Sequence, residues 1–171
     1  MKKNAGFTLI EITVVMAIIG ILAVISIGSY RTTQIKTRDS QRKNDMEQIS
    51  NTVEVYYNDK GQYPLNSADN KINGCVSEAT CEWGEDWSDE NNTTYMVEMP
   101  ADPRDYLNYY YESDGTYFQV YARLENDLDY EVPTSGDDPA NYNISCGDYN
   151  CNYGVSSTNI TISDGRSIVA D

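Results

Sequence analysis

The stretch Met1–Tyr30, MKKNAGFTLIEITVVMAIIGILAVISIGSY, decides the fold. Two lysines sit in a six-residue start, after which apolar residues run from Phe7 to about Ile27, with Thr8, Glu11, Thr13 and Ser26 as the polar breaks. About 20 apolar residues are enough to cross a hydrocarbon core of roughly 30 Å as a helix. Glu11 is out of place there, because a carboxylate inside a bilayer costs roughly 2.5 to 3.5 kcal/mol even on the gentler insertion scale and so needs a partner. The natural partner is an amine. Cleavage between Gly6 and Phe7 would set a new α-amino group one helical turn before Glu11, where a first-turn acid also suits the helix dipole. The pair closes within one chain or between neighbouring chains.

The order Gly6-Phe7-Thr8-Leu9-Ile10-Glu11 after a short basic leader, followed by an apolar run, resembles the class III signal of type IV pilins and of the related pseudopilins of type II secretion. The resemblance implies that a membrane-embedded prepilin peptidase cuts after Gly6 and methylates Phe7, and that Glu11 pairs with a neighbouring subunit's terminal amine during assembly. It also implies the partners: other copies of the chain in a helical filament, the prepilin peptidase, an inner-membrane assembly platform, and the membrane itself before assembly. The precursor is then expected in the inner membrane and the assembled pilus on the cell surface. Two plainer readings of the stretch are a secretory signal peptide, with Ser26-Ile27-Gly28 as a small-x-small cleavage site, and a simple signal anchor. Neither explains where Glu11 falls.

With 171 residues there is material for one long helix and one modest head. The formal charge of -15 is unevenly spread: Arg31–Asn58 carries five bases and four acids, whereas Asp59–Asp171 carries five bases and 22 acids. An acidic head repels nucleic-acid phosphate, so direct nucleic-acid binding is not expected. Cys75, Cys81, Cys146 and Cys151 form two close pairs, with five and four residues between partners. Four cysteines permit three connectivities. Short polar loops favour the local pairs Cys75 with Cys81 and Cys146 with Cys151, each closure stabilising by roughly 2 kcal/mol in the chain-entropy model. Zinc fits poorly, since there is no C-x2-C spacing and no histidine. Disulfides place the head in an oxidising exterior. One signal opposes this: Arg31, Lys36, Arg38, Arg42 and Lys43 follow the apolar run against Lys2 and Lys3 before it, a bias that would keep the C-terminal side in the cytoplasm. The leader and the cysteines outweigh it.

Beyond the apolar run, Met46, Ile49, Val53 and Tyr56 recur at helical spacing, with Arg42, Lys43, Asp45, Glu47 and Gln48 assigned to the other faces. No proline lies between Phe7 and Asn58, so one helix of about 52 residues, roughly 78 Å, is feasible. Gly20 and Gly28 are its weak points. Asn58-Asp59-Lys60-Gly61 reads as its stop. Gly61-x-Tyr63-Pro64 and Met99-Pro100-Ala101-Asp102-Pro103 extend the resemblance over about the first 125 residues.

In the head, Trp83 and Trp87 are expected on one face of a short helix around Glu82–Ser88, either as the loop's own core or as a platform for sugars. Tyr106–Glu112, the turn Ser113-Asp114-Gly115 and Thr116–Leu124 read as a β-hairpin. Phe118, Val120, Ala122 and Leu124 share the face expected against the stalk, and Tyr117, Gln119, Tyr121 and Arg123 the other. Next, Glu125, Asp127, Asp129 and Glu131 alternate with Asn126, Leu128 and Tyr130, and Asp137, Asp138, Asn141 and Asn143 follow in a loop. Oxygen ligands of this kind suit calcium, and the resemblance to major pseudopilins implies a calcium site in this region, for which Glu125, Asp127, Asp129, Asp137 and Asp138 are the candidates. No cofactor is otherwise required. A second hairpin is expected from Ile160-Thr161-Ile162, Ser163-Asp164-Gly165 and Ile168-Val169-Ala170. Asn91, Asn92, Asn143 and Asn159 sit in N-x-S/T sequons, to which no role is assigned. Without a histidine, a nucleophile elbow or a phosphate-cradling loop, an enzyme is not expected.

The fold class is therefore α+β and type IV pilin-like: a long N-terminal helix with a membrane-embedded and an amphipathic half, on a small antiparallel head with disulfide-bearing loops. The expected divisions are a leader (1–6), a transmembrane and filament-core helix (7–30), an amphipathic stalk (31–58) and a head (59–171). The head divides into a loop (59–104), the hairpin (about 106–124) and a C-terminal loop and tail (125–171). The expected function is the major structural subunit of a type IV pilus. A major pseudopilin of type II secretion and a membrane-anchored sugar-binding module are the alternatives.

Overall fold

The structure is a computed structural model that describes residues 6–76 and 79–171, with residues 25–29 described by backbone only. Leader residues 1–5 lie outside the described residues. Helix α1 (Leu9–Lys60) holds 52 residues, the expected number, with its start two residues later than Phe7. It ends at Gly61, whose φ of 74° and backbone N–H to the Tyr57 carbonyl at 2.8 Å make the left-handed cap that a glycine adopts without strain.

Among the described residues ten short strands follow: β1 (Asn73–Cys75), β2 (Ala79–Thr80), β3 (Trp87–Ser88), β4 (Thr94–Met96), β5 (Tyr110–Ser113), β6 (Phe118–Ala122), β7 (Thr134–Ser135), β8 (Asp138–Asn141), β9 (Tyr153–Ser156) and β10 (Val169–Ala170). The chain divides into two compact units, Met1–Thr37 and Arg38–Asp171. The division falls inside α1, so the stretch of helix from Arg38 onward is part of the head unit.

In the first unit the apolar side chains from Phe7 to Val24 stand exposed, Leu9 at 82% and Ile10 at 69%. Among the described residues no helix is long and apolar enough to cross a membrane. The side chains of residues 25–29, which complete the expected span, lie outside the described residues.

The head unit is built around β6. Val120 pairs with Tyr111 of β5 on one side and with Val155 of β9 on the other, giving an antiparallel sheet in the order β5-β6-β9. Its Phe118, Val120, Ala122 and Leu124 meet Met46, Ile49 and Val53 of α1 in one core, as the periodicity predicts. Full burial of such side chains stabilises by roughly 1.5 to 3 kcal/mol each. On the opposite face Gln119 and Tyr121 are buried as well. Gln119 donates to the carbonyls of Thr161 at 2.8 Å and Asp164 at 3.2 Å, and the Tyr121 hydroxyl donates to the Ile162 carbonyl at 2.7 Å. Tyr121 packs with Tyr142, Cys146 and Cys151 in a second cluster.

The tail does not form the expected second hairpin. Val169 and Ala170 pair with Asn141 and Ala140 of β8, while residues 160–166 turn over β6, where the buried polar groups of that face need their carbonyls. The short helix around Trp83 and Trp87 is also absent: Trp87 lies in β3, fully buried and paired with Met96, and stacks at 5.4 Å on Tyr56. Trp83 meets Tyr109 edge-on at 5.7 Å. Both indoles pack into the loop's own core, Trp87 fully and Trp83 in part.

Candidate functional site

The N-terminal motif has a defined geometry. Residues 6–8 precede the helix, which leaves the Gly6–Phe7 peptide outside its hydrogen-bond ladder and leaves Phe7 exposed. Thr8 is the N-cap. Its backbone N–H and its hydroxyl both donate to Glu11 Oε2 at 2.7 Å, and the Glu11 N–H returns a bond to the Thr8 hydroxyl at 3.3 Å. This reciprocal arrangement is the capping box, which satisfies orphan donors of the first turn. Thr8 thus turns the Glu11 carboxylate toward the N-terminal end of the helix, the side on which cleavage after Gly6 would create an amine.

A second charged site lies at the start of the head unit. Arg42 is buried completely, its Nε and Nη2 donating to the two Asp102 oxygens at 2.7 and 2.9 Å. Its Nη1 donates to Asp39 at 2.8 Å and to Glu125 at 3.0 Å. Arg38 clasps Glu125 through two further bonds of 2.6 and 2.5 Å. Asp39 also accepts the backbone N–H groups of Glu125 and Asn126, both at 2.9 Å. Asp45, buried as well, accepts the Tyr109 hydroxyl at 2.6 Å. Burial by itself opposes the Arg42 charge, but the hydrogen bonds to Asp102, Glu125 and Asp39 outweigh it and hold the guanidinium protonated.

Arg42 and Asp45 were expected on solvent faces, and the structure corrects this. The signal was in the spacing: Asp39, Arg42, Met46, Ile49 and Val53 follow one another at intervals of three and four, so the stripe that is apolar above is ionic below. A stripe defined by hydropathy alone stops at Met46.

The pairing sets a pH dependence. The Arg38 guanidinium, helped by Arg42 and opposed by burial, holds the Glu125 carboxyl down to about 2. A depressed carboxyl contributes stability that is present above its ordinary value and is lost as the pH falls toward the folded one. Asp45 runs oppositely: burial pushes it up, so taking a proton favours the folded state. The thermal midpoint of the head is therefore expected to fall between about pH 4.5 and 2, and Glu125→Gln to flatten that slope. An unchanged slope in scanning calorimetry of the variant would remove Glu125 from this role.

The five calcium candidates are not brought together. Glu125 faces Arg38 and Arg42; Asp127 accepts from Arg123 at 2.8 Å; Asp129 accepts from Lys43 at 2.8 Å, with Glu131 on the same ammonium. Asp137 and Asp138 are exposed at the β7–β8 turn. Among the described residues no group of three or more carboxylates or thiols is placed to hold a metal ion. The segment turns, and Glu125, Asp127, Asp129 and Glu131 are each paired with a base. The cysteines are joined as Cys75–Cys81 and Cys146–Cys151.

Residues 1–27 match the family model for the prokaryotic N-terminal methylation motif. The fimbrial protein EcpC of Eikenella corrodens is 41% identical over 67 residues, which cover 39% of this chain and 44% of that protein. The type IV major pilin protein PilA of Myxococcus xanthus is 36% identical over 61 residues, 36% of this chain and 28% of that one. The type II secretion system core protein G of Escherichia coli is 27% identical over 145 residues, 84% of this chain and 94% of that one. This chain thus spans less than half the length of the two pilin-type relatives in its match to them. No solved structure matches. The motif and these relatives support the type IV pilin and pseudopilin family as the class of protein, and the long helix, small antiparallel sheets and two disulfides agree with its α+β fold. The three relatives are named as pilin, fimbrial and secretion-core proteins, none as an enzyme.

Proposed function

We propose that this chain is the major structural subunit of a type IV pilus, cut between Gly6 and Phe7, methylated on Phe7 and assembled through α1. The observation that carries the reading is the methylation motif followed by an exposed apolar helix face with one carboxylate, Glu11, set in its first turn. Before assembly the apolar side chains rest in lipid; afterwards they stay buried only against the same segment of other copies, and Glu11 selects the register by pairing with an amine. Burial drives the association and the ion pair makes it specific. The precursor is then an inner-membrane protein and the product a surface fibre.

A second reading is a major pseudopilin of type II secretion, favoured by the match along nearly the whole length of core protein G. Intact mass and N-terminal sequence of the protein in sheared cell-surface material test the first reading. A chain starting at methylated Phe7 and short of the hydrogens lost to two disulfides is expected in the fibres. The same mature chain confined to the envelope, with a secreted protein retained when it is deleted, would support the pseudopilin. A chain that starts near Ser29, or keeps Met1, would overturn both.

A further inference from the structure

The dipeptide Asn73-Gly74 lies in β1, and no other asparagine of the chain is followed by glycine. Where β1 pairs with β2, Asn73 stands opposite Thr80 and Cys75 opposite Ala79, so Gly74 lies between paired residues as a bulge. Its φ of 150° explains the glycine, since side chains rarely adopt that backbone. Space is not the reason, because an added Cβ would only reach van der Waals contact with the Tyr56 hydroxyl, at 3.5 Å. The neighbours of the bulge are pinned. The Cys81 N–H donates to the Ile72 carbonyl and the Asn73 N–H to the Leu65 carbonyl, both at 2.8 Å, and Cys75 is tied to Cys81. Water reaches the bulge by two routes, for Asn73, Gly74 and Cys75 are only half-buried. One cleft of about 160 Å³ is lined by Gly74, Cys75, Lys60 and Asp89, and a second of about 170 Å³ by Asn73, Gly74, Gln62 and Leu65. Tyr56 lines both.

The chemistry follows from the atoms placed there. The backbone nitrogen of Gly74 and Cγ of Asn73 are the ends of a five-membered ring that one bond closes. When that nitrogen gives up its proton and attacks Cγ, the Cγ–Nδ2 bond breaks and ammonia leaves with the proton. Water then opens the succinimide, at Cγ to give aspartate or at the backbone carbonyl to give isoaspartate. After every other asparagine a side chain on the next residue obstructs the approach. We propose that Asn73 is a site of spontaneous deamidation in the folded head, with water as the only co-reactant, and that the bulge permits it by letting the 73–74 peptide turn without unpairing a ladder residue. Isoaspartate carries the backbone through an extra methylene just ahead of the Cys75–Cys81 disulfide, and both products set a carboxylate where the chain had an amide. Ammonia once lost is not regained, so the change accumulates with time since synthesis. None of this depends on filament assembly.

The test incubates the full chain in detergent, with both disulfides intact, and then digests it. The fragment that contains residue 73 is followed by mass and by methyl transfer from an isoaspartyl methyltransferase. A synthetic peptide of residues 71–76, its cysteine alkylated, runs alongside to give the rate of the sequence without the fold. Asn73 in the full chain is expected to convert roughly tenfold faster than any other asparagine, and faster as the pH rises, because the attacking nitrogen must first lose its proton. Asn73→Gln is expected to abolish the isoaspartate signal, since the longer side chain closes a six-membered ring far more slowly. An intact Asn73 in the full chain after the peptide has converted would mean that the strand shields the site, and would overturn the proposal. Faster conversion at another asparagine, or an undiminished isoaspartate yield from Asn73→Gln, would overturn it as well.

Discussion

Arg42→Ala is expected to destabilise the head unit by about 3 to 5 kcal/mol, because it strips the shared cation from Asp39, Asp102 and Glu125 while all three stay inside the fold. Against a typical total of about 5 to 15 kcal/mol, the loss brings the unit near its threshold. Arg42→Lys is expected to recover little, since a single ammonium cannot reproduce the paired bonds to both Asp102 oxygens. Arg38→Ala provides the scale: that side chain is 18% exposed and shares Glu125 with Arg42, so its loss should cost only about 1 kcal/mol. Urea titration of the full chain, followed by the fluorescence of buried Trp87, ranks the three variants. Equal midpoints for Arg42→Ala and the parent would mean that the cluster contributes nothing net.

Glu11→Ala is expected to reduce filament yield by more than tenfold while the head keeps its parent unfolding midpoint. Under the proposed assembly, removing Glu11 leaves the amine it would pair with uncompensated at about 3 to 5 kcal/mol, repeated at every subunit contact. The same change also removes the capping box, worth about 1 kcal/mol. Thr8→Ala separates the two effects, for it spoils the cap and spares the carboxylate; its yield should stay within a few fold of the parent. Sheared-fibre yield at matched expression reads both variants. Parent yield from Glu11→Ala would end the assembly role, and equal loss from Thr8→Ala would reassign it to the cap.

Much of the architecture was legible in local pattern. The apolar run, the proline-free helix, its glycine stop and the alternation in β6 each depend on neighbours in sequence, and each is where the spacing put it. What escaped was set by distant partners. Gln119 and Tyr121 were placed only on the face away from the stalk, since nothing in their own strand announces that residues 160–166 will supply carbonyls above them. Ile160-Thr161-Ile162 looked like a strand and became a cover, the buried polar groups of β6 outweighing its β-propensity. The N-terminal methylation motif was legible because its members lie within six residues, and residues 1–27 match the family model for it. The ionic stripe was half legible: its spacing was in plain sight, but charge disguised it, and its partners Asp102 and Glu125 lie far along the chain.

The cover over β6 also imposes an order of events. A chain is released from its amino end, so α1, β5 and β6 exist well before β9 and the segment 160–166. During that interval the central strand has one open edge and one wet face, and Tyr121 and Gln119 have only water to satisfy them. A chain broken off before Tyr153 lacks β9 and is expected to present a bare β6 edge. Such an edge is what proteases and stray strands find first. Deletion of residues 160–166 is therefore expected to uncover Gln119 and Tyr121 and to loosen the central strand as well as the tail.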